Sequence, residues 1–529
     1  MVAHPLIELQ TPGALTERKR SPYTHTILAD ADFVEEVPFD RTDLSHGDLC
    51  LACGRPGLWL VSGPTRGMIP PTDLTGALPG NQLELEISSL AYGGGGVSRV
   101  HGLVVLVDRA VPGERVLAEI THRSKRFARG KILRILSPSP ERGEAPCRHF
   151  RECGGCTYQA LDYALQLRTK REQVKDLLER IGRIPNPVVL PTLGSDHPLR
   201  YRQRMSYEVA AQPEVGIGLH RLAEPESVLE VPDCLLPVEE LRVAYRRILE
   251  DLRPLPGPAR PHRVELHAGW GARACVALLR GAGSPSPTVR RLAEGWVARE
   301  GILQGVTWIS EEGPGGIVEK GSPILLAGAG TVEEKLGEFL FRIPTGSFFQ
   351  ANPPLAAQVF EIMGAKCGPG EILELYAGVG ALTLFLTERG RRVVAVEGRE
   401  ESLRAASENA RSNGVRGVEF LLLDVGEALH RWIRQGRRFE TVVLDPPRTG
   451  LPHGGARRLA RLAISRILYL SCDPATLARD LRELLETGDW KLKEVLPVDL
   501  FPQTAAIECL AELESAASRQ APRSRTSPA

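Results

Sequence analysis

The chain is 529 residues long, too long for one ordinary hydrophobic core, so two to four domains are expected. Its 42% hydrophobic and 25% charged residues are those of a soluble globular protein, and no apolar run reaches the ~18 residues of a membrane-spanning helix. The N-terminus lacks a basic stretch followed by an apolar one, which argues against secretion and for the cytoplasm.

A formal net charge of +1 argues at first against nucleic acid, but the charge is unevenly spread. Between Arg115 and Arg204 there are 19 Lys and Arg against 9 Asp and Glu, a local excess of +10. Such a stretch is the footprint of a phosphate-backbone partner, although a solvated charged face has the same composition.

Residues 1–80 are rich in Pro, Gly and Thr, with weak periodicity. Cys50-x-x-Cys53 is half of a zinc ribbon, but no second half follows at suitable spacing. Translation starting at Met68 would remove most of this segment. From Gln82 to Ser137 the pattern is all-β: Leu83–Ile87 alternates, Gly93–Gly96 makes a turn, and Leu103–Val107, Arg115–Ile120 and Lys131–Leu136 follow. Five short strands here suit a small OB-like barrel over 81–138, a common nucleic-acid reader. The basic run His122–Arg129, with Phe127 inside it, is expected in a connection. Pro138–Pro146 is a linker.

A helix is expected over about 160–181, with Leu161, Leu165, Leu167, Val174, Leu177 and Leu178 on its apolar side. Residues 195–340 read as mixed strands and helices without a catalytic motif, so 147–340 forms a central α/β domain. From Phe341 strands and helices alternate: Glu371–Tyr376, Leu382–Glu388, Arg392–Val396, Glu400–Asn413, Val418–Leu423, Thr441–Leu444, Ile467–Leu470, Thr476–Leu485. That order predicts a doubly wound, Rossmann-like parallel sheet over 341–515. The tail, 516–529, is polar and expected to be disordered.

Ligands of such sheets bind beyond the carboxyl ends of the strands. After the first strand, Tyr376-Ala377-Gly378-Val379-Gly380 gives a tight turn, but Thr383 stands where a dinucleotide fingerprint has its third glycine. Glu397 ends the next strand, where a carboxylate can accept both hydroxyls of a ribose. Asp424 follows the third, where it can accept an adenine amino group. Three acceptors at successive strand ends fit an adenosine with a neutral or cationic tail, because a pyrophosphate would be repelled. Ordinary strand-end capping is the competing reading.

Cys472, in Leu470-Ser471-Cys472-Asp473-Pro474, ends a strand facing the same crevice. A helix beginning near Thr476 would favour its thiolate. Uracil C5 is a poor nucleophile, but thiolate addition at C6 makes C5 an enolate carbon that can take a methyl group from S-adenosylmethionine. A base must then remove the C5 proton, and Glu508, on an expected final strand, is a candidate. Asp445-Pro446-Pro447 has a competing meaning, because methyltransferases of exocyclic amines use a similar loop without a cysteine.

Of ten cysteines, Cys147, Cys153 and Cys156 lie within ten residues, with Cys234 a plausible fourth. Four thiolates could hold zinc or a [4Fe–4S] cluster, and the wide first spacing leans towards iron–sulfur.

With these motifs in order, the chain resembles the RNA uracil-C5 methyltransferase family that carries an N-terminal TRAM barrel and an iron–sulfur cluster. The matching residues are the glycine-rich barrel, the four cysteines, Phe348-Phe349-Gln350-x-Asn352, Glu374–Gly380, Asp445-Pro446-Pro447-Arg448-x-Gly450, Ser471–Pro474, and Phe501-Pro502-Gln503-Thr504 leading to Glu508. The resemblance spans about residues 81–515. It implies that Gln350, Tyr376, Glu397, Asp424 and Asp445 bind S-adenosylmethionine, that Cys472 is the nucleophile and that Glu508 is the base. It also implies that Cys147, Cys153, Cys156 and Cys234 hold a [4Fe–4S] cluster. Ala381 departs from the usual Asn, and Ala505-Ala506-Ile507 from the usual Ser/Thr-His-Val. A barrel together with four cysteines points to a uridine of 23S rRNA, with Phe127 a candidate to stack on neighbouring bases. The rivals are a tRNA uracil-C5 methyltransferase, an RNA-binding protein with an inactive methyltransferase domain, and an exocyclic-amine methyltransferase. A monomer is the expected state.

Overall fold

The computed structural model describes residues 77–210, 216–257, 260–269, 275–299, 303–311 and 322–516. It also describes the backbone of Leu49–Cys50 and Arg55–Pro56, which pair antiparallel. The zinc-ribbon reading at Cys53, the start at Met68 and the disordered tail all fall outside the described residues.

Residues 82–137 form six strands rather than five: Gln82–Glu86, Ser89–Leu90, Gly95–Val100, Leu103–Asp108, Arg115–Arg123 and Phe127–Ser137. The segment 82–90 pairs first with Arg115–Glu119 and then, past a bend, with Gly96–Val97. One bent segment thus closes the sheet into a small barrel around Val105, Val107, Val116, Ala118 and Ile120. Two expectations are corrected. Gly95 and Gly96 lie in a strand, because the left-handed φ values that make the turn fall at Gly93 and Gly94. The basic connection shrinks to three residues, 124–126, because Phe127–Lys131 pairs with Val104–Asp108. Phe127 is consequently buried against Val104 and Leu106, so its ring is not available to stack on a base.

The central part holds a mixed seven-stranded sheet in the order Val228–Leu229, Ile217–His220, Arg204–Val209, Arg263–Ala268, Cys275–Gly281, Leu303–Ser310, Ile324–Gly328. Its one parallel pair, Cys275–Gly281 with Leu303–Ser310, is joined by the crossover helix Pro287–Ala298. A hairpin, Thr331–Leu336 with Phe339–Pro344, leads to helix Pro353–Lys366, which opens on Asn352 as cap and proline in its first turn.

The third sheet comprises β1 (Ile372–Leu375), β2 (Val393–Glu397), β3 (Val418–Leu422), β4 (Arg438–Leu444), β5 (Ala463–Ser471), β6 (Trp490–Val498) and β7 (Glu508–Ser515). Their order is β3-β2-β1-β4-β5-β7-β6, with β7 antiparallel to both neighbours and the remaining pairs parallel. This is the expected doubly wound sheet. Ile372–Leu375 is buried throughout, as a strand covered by helices on both faces must be. Helix Val425–Gln435 was not anticipated, although Val425, Ala428, Leu429 and Trp432 bury one face at helical spacing.

Helix Tyr163–Arg180 is capped by Asp162, whose side chain accepts from the Leu165 amide at 2.8 Å. It packs against helix Pro474–Leu485 and β6, and the chain after it extends the sheet edge, with the Leu190 amide donating to Val495 at 2.9 Å. Its inner face carries Lys170, fully buried and ion-paired with the equally buried Asp499 just after β6. Lys170→Ala removes the cation from that buried carboxylate, which keeps a hydrogen bond from the Tyr163 hydroxyl at 3.1 Å, so a loss of about 3 kcal/mol in denaturant unfolding is expected.

Candidate active site

The crossover direction of the sheet reverses between β1 and β4, which opens a crevice at their carboxyl ends. After β1 the backbone turns left-handed at Tyr376 (φ 66°), Gly378 (φ 56°) and Gly380 (φ 81°). A Cβ at Gly378 would meet nothing within 4 Å, whereas one at Gly380 would lie 3.1 Å from Ala406. Gly378 therefore faces open space, and Gly380 lets helix Glu400–Ser412 pack closely against the loop.

Glu397, ending β2, folds back over this loop: one carboxylate oxygen accepts from the Gly378 amide at 2.9 Å, the other from Arg399 at 2.8 Å. Asp424, after β3, caps helix Val425–Gln435 through bonds from Gly426 (2.7 Å) and Glu427 (3.2 Å). Both carboxylates thus cap backbone and keep further lone pairs for a ligand. Tyr376 stands among Asp424, Asp480 and Glu397; burial first, then these charges, raises its phenol well above the ordinary range. Gln350 and Asn352 lie in the loop before helix Pro353–Lys366. Gln350 Oε1 and Asn352 Nδ2 are buried without a protein partner, the condition of groups awaiting a ligand.

Cys472 directly follows β5, and Glu508 opens β7. The ladder pairs Ser471 with Cys509, so the two residues occupy neighbouring positions at its end. Glu508 is fully buried, and both its carboxylate oxygens lack a hydrogen-bond partner. Burial, then the charge of Asp445, pushes its carboxyl far above the ordinary range, opposed by Arg448. Burial lifts the Asp445 carboxyl to about 7.

The groups around Cys472 oppose the ionisation expected of its thiol. Burial and then Glu508 push the Cys472 thiol well above its ordinary value, with Arg448 alone pulling it down and Asp445 and Asp473 adding to the rise. The helix, Pro474–Leu485, begins two residues earlier than expected, and its first free amides are already taken: Asp473 accepts from Ala475 at 2.8 Å and Thr476 at 3.0 Å. The dipole is spent on a carboxylate rather than on the thiol.

Two contributors had no assigned role in the sequence. Arg448 is the cation acting on Cys472, Asp473 and Glu508 alike, and its place directly after the Asp-Pro-Pro turn was the available signal. Glu374, buried under the β1 loop, has its carboxyl raised to about 8 by burial first and then by Asp445 and Glu397. A crevice floored by carboxyls favours a cation over an anion.

Cys147, Cys153, Cys156 and Cys234 are all free thiols. Burial, followed by Cys234, Cys153 and Cys147, raises the Cys156 thiol, and burial lifts Cys234 to about 12. The fold thus gathers the four into one neighbourhood. Among the described residues, however, no three His, Cys, Asp or Glu side chains stand so as to hold a metal ion, so the expected cluster is not shown.

Two outcomes follow from these electrostatics. The raised Asp445 carboxyl holds its proton in the folded state while the unfolded chain ionises between about pH 4 and 7, so stability falls across that window. Asp445→Asn should therefore unfold at higher temperature than the parent at pH 8 and at nearly the same temperature at pH 4. Glu508→Gln removes a negative neighbour, so the pH midpoint for iodoacetamide alkylation of Cys472, followed by peptide mass spectrometry, should move down.

Residues 329–515 match the tRNA (Uracil-5-)-methyltransferase family. An uncharacterized RNA methyltransferase of Halalkalibacterium halodurans is 32% identical over 450 residues, 82% of this chain and 96% of that protein. Another, from Gloeobacter violaceus, is 34% identical over 462 residues, 84% and 99% of the two chains. Among solved structures, Pyrococcus abyssi tRNA (uracil-54, C5)-methyltransferase in complex with S-adenosyl-L-homocysteine superposes with a TM-score of 0.62. It covers 81% of this chain and 99% of its own at 23% identity, a likeness of fold. Sequence relatives across most of the chain, the matched family and the crevice of its sheet agree: the chain belongs to the RNA uracil-C5 methyltransferase family, enzymes that use S-adenosylmethionine.

Proposed function

We propose that the protein methylates C5 of a uridine in 23S rRNA through a covalent bond between Cys472 and C6. The observation that carries this reading is the buried, unpartnered Glu508 carboxylate standing next to Cys472. When bound, S-adenosylmethionine supplies an electrophilic methyl group. Gln350, Tyr376, Glu397, Asp424 and Asp445 hold it in the crevice, where the carboxylates favour its sulfonium charge.

The target uridine is everted into the crevice. The Cys472 thiol gives its proton to solvent, its sulfur bonds to C6, and C5 becomes the carbon that takes the methyl group. Glu508 then removes the C5 proton, the C5–C6 double bond re-forms, and the C6–S bond breaks to return the thiolate. Glu508 must be ionised to take that proton: Arg448 favours its charged form, and its raised proton affinity then makes it a strong base. Carbon methylation through Cys472 is favoured over exocyclic-amine methylation, which has no use for an unpartnered carboxylate beside a thiol.

The barrel is read as a TRAM domain, and the exposed Lys125, Arg126, Lys131 and Arg134 on it supply phosphate-binding charge. Cys147, Cys153, Cys156 and Cys234, free thiols in one neighbourhood, would hold the [4Fe–4S] cluster that the family resemblance implies. The reaction is assigned to the cytoplasm and to a monomer; no described helix is long and apolar enough to cross a membrane. Barrel and cysteines together favour rRNA. A tRNA substrate is the second reading, favoured by the description of the matched family.

The test uses unmodified 23S rRNA and, separately, tRNA, each carrying 5-fluorouridine, whose C5 fluorine cannot leave as a proton. The expected result is a denaturation-stable adduct with rRNA that disappears in Cys472→Ala. An adduct with tRNA alone would replace the substrate, and no adduct with either would remove the covalent mechanism.

A further inference from the structure

Because the Glu508 carboxylate has no hydrogen-bond partner, its backbone sets where it stands. On one side that backbone is fixed by pairing of Glu508 with Val498 and of Cys509 with Ser471. On the other it depends on the connection from Asp499 to Ile507.

Gln503 lies in the middle of that connection. It is buried and left-handed, with φ 72°, a region that a residue with a Cβ rarely adopts unless its surroundings impose it. Each of its polar groups is engaged. Its amide donates to Gln166 Oε1 at 3.0 Å, and its Oε1 accepts from Gln166 Nε2 at 3.1 Å. Its carbonyl accepts from the amides of Thr157 (2.8 Å) and Tyr158 (2.9 Å), the residues directly after Cys156. Its Nε2 donates to the Pro198 carbonyl at 3.5 Å.

The neighbours are held in the same way. The Tyr201 hydroxyl donates to the Pro502 carbonyl at 3.3 Å, and the Arg202 guanidinium lies 4.9 Å from the Phe501 ring centre. All these partners lie outside the strands of the catalytic sheet. The barrel joins the same assembly. A Cβ on Gly94 would fall 2.2 Å from Thr157 and 3.1 Å from Ala505. Gln173, on the helix that carries Gln166, donates to the Ala91 carbonyl at 2.8 Å.

We propose that Gln503 is a positioning residue for proton abstraction: clasped by Gln166 and by the backbone of the cysteine-bearing loop, it fixes the place of the Glu508 carboxylate. This rests on the reading of Glu508 as the base. A loosened clasp leaves Cys472 and the crevice intact, so addition at C6 and methyl transfer proceed. Elimination slows, because the C5 proton must pass to a misplaced carboxylate before the C6–S bond can break.

Two variants test this on the full-length protein with ordinary, non-fluorinated RNA and S-adenosylmethionine. Gln503→Gly removes the side chain while accepting the left-handed backbone. Gln166→Leu removes the clasp from the other side and leaves residue 503 unchanged. In single turnover, methyl label should enter the protein-linked RNA within about twofold of the parent rate, while release of free methylated RNA falls about 10²-fold. A denaturation-stable complex should accumulate in both variants and not in the parent.

Proportional slowing of adduct formation and release in both variants would overturn the proposal in favour of a merely structural role. So would release at the parent rate. Parent enzyme run in parallel on 5-fluorouridine RNA separates the two readings: no Cys472-dependent trapping there would remove the covalent mechanism itself rather than the role of Gln503.

Discussion

The antiparallel entry of β7 between β5 and β6 is the constraint on which the site depends. Six residue pairs, from Arg466–Glu514 to Ser471–Cys509, fix β7 against β5. They leave Cys472 and Glu508 together where the ladder ends. A shift of one residue would turn Glu508 to the opposite face, because side chains alternate along a strand. The thiol and the carboxyl therefore owe their meeting to backbone hydrogen bonds far more than to any contact between themselves.

The carboxyl is then kept in a state that water would not allow. Glu374 and Glu508 are withdrawn from solvent and Asp445 is half-buried, and burial leads the rise of each. Repulsion among them is relieved by protonation, by Arg448, or by a cation arriving in the crevice. A sulfonium is such a cation. The same crowding that destabilises the empty site thus favours its cofactor, an exchange of stability for binding that active sites commonly make.

The barrel and the cysteine-bearing loop are built into this arrangement rather than tethered to it. Arg109 of the barrel donates to the Cys156 carbonyl at 3.0 Å and lies over the Phe150 ring. Helix Tyr163–Arg180 reaches three ways: to the barrel through Gln173, to the connection before β7 through Gln166, and to the end of β6 through Lys170 and Asp499. The barrel and the connection that leads into β7 therefore share one helix. Basic charge is divided in the same way. Lys170 and Arg142 are used internally, Arg142 on the buried Glu114, while Lys125, Arg126 and Arg134 remain at the surface.

Much of this was legible in the sequence. Apolar runs alternating with helical patterns determine the doubly wound sheet, because strands covered on both faces must be apolar throughout, as Ile372–Leu375 is. Motif order also brought Cys472, Glu508 and the cofactor-facing carboxylates into one reading, since strand-end residues of such a sheet share one crevice. What the sequence could not carry was distance and burial. Phe127 reads as an exposed aromatic among cations, yet strand pairing turns it inward onto Val104 and Leu106. The helix after Cys472 reads as an aid to the thiolate, yet Asp473 takes its free amides. Nothing local in Gln503 announces its φ of 72°, which only the simultaneous hold of Gln166, Thr157 and Tyr158 imposes. Periodicity is a property of neighbours along the chain, so the sequence by itself determined the elements and the family of chemistry. Proton affinity, strain and clasp arise from groups brought together from distant segments, and only the tertiary structure decided them.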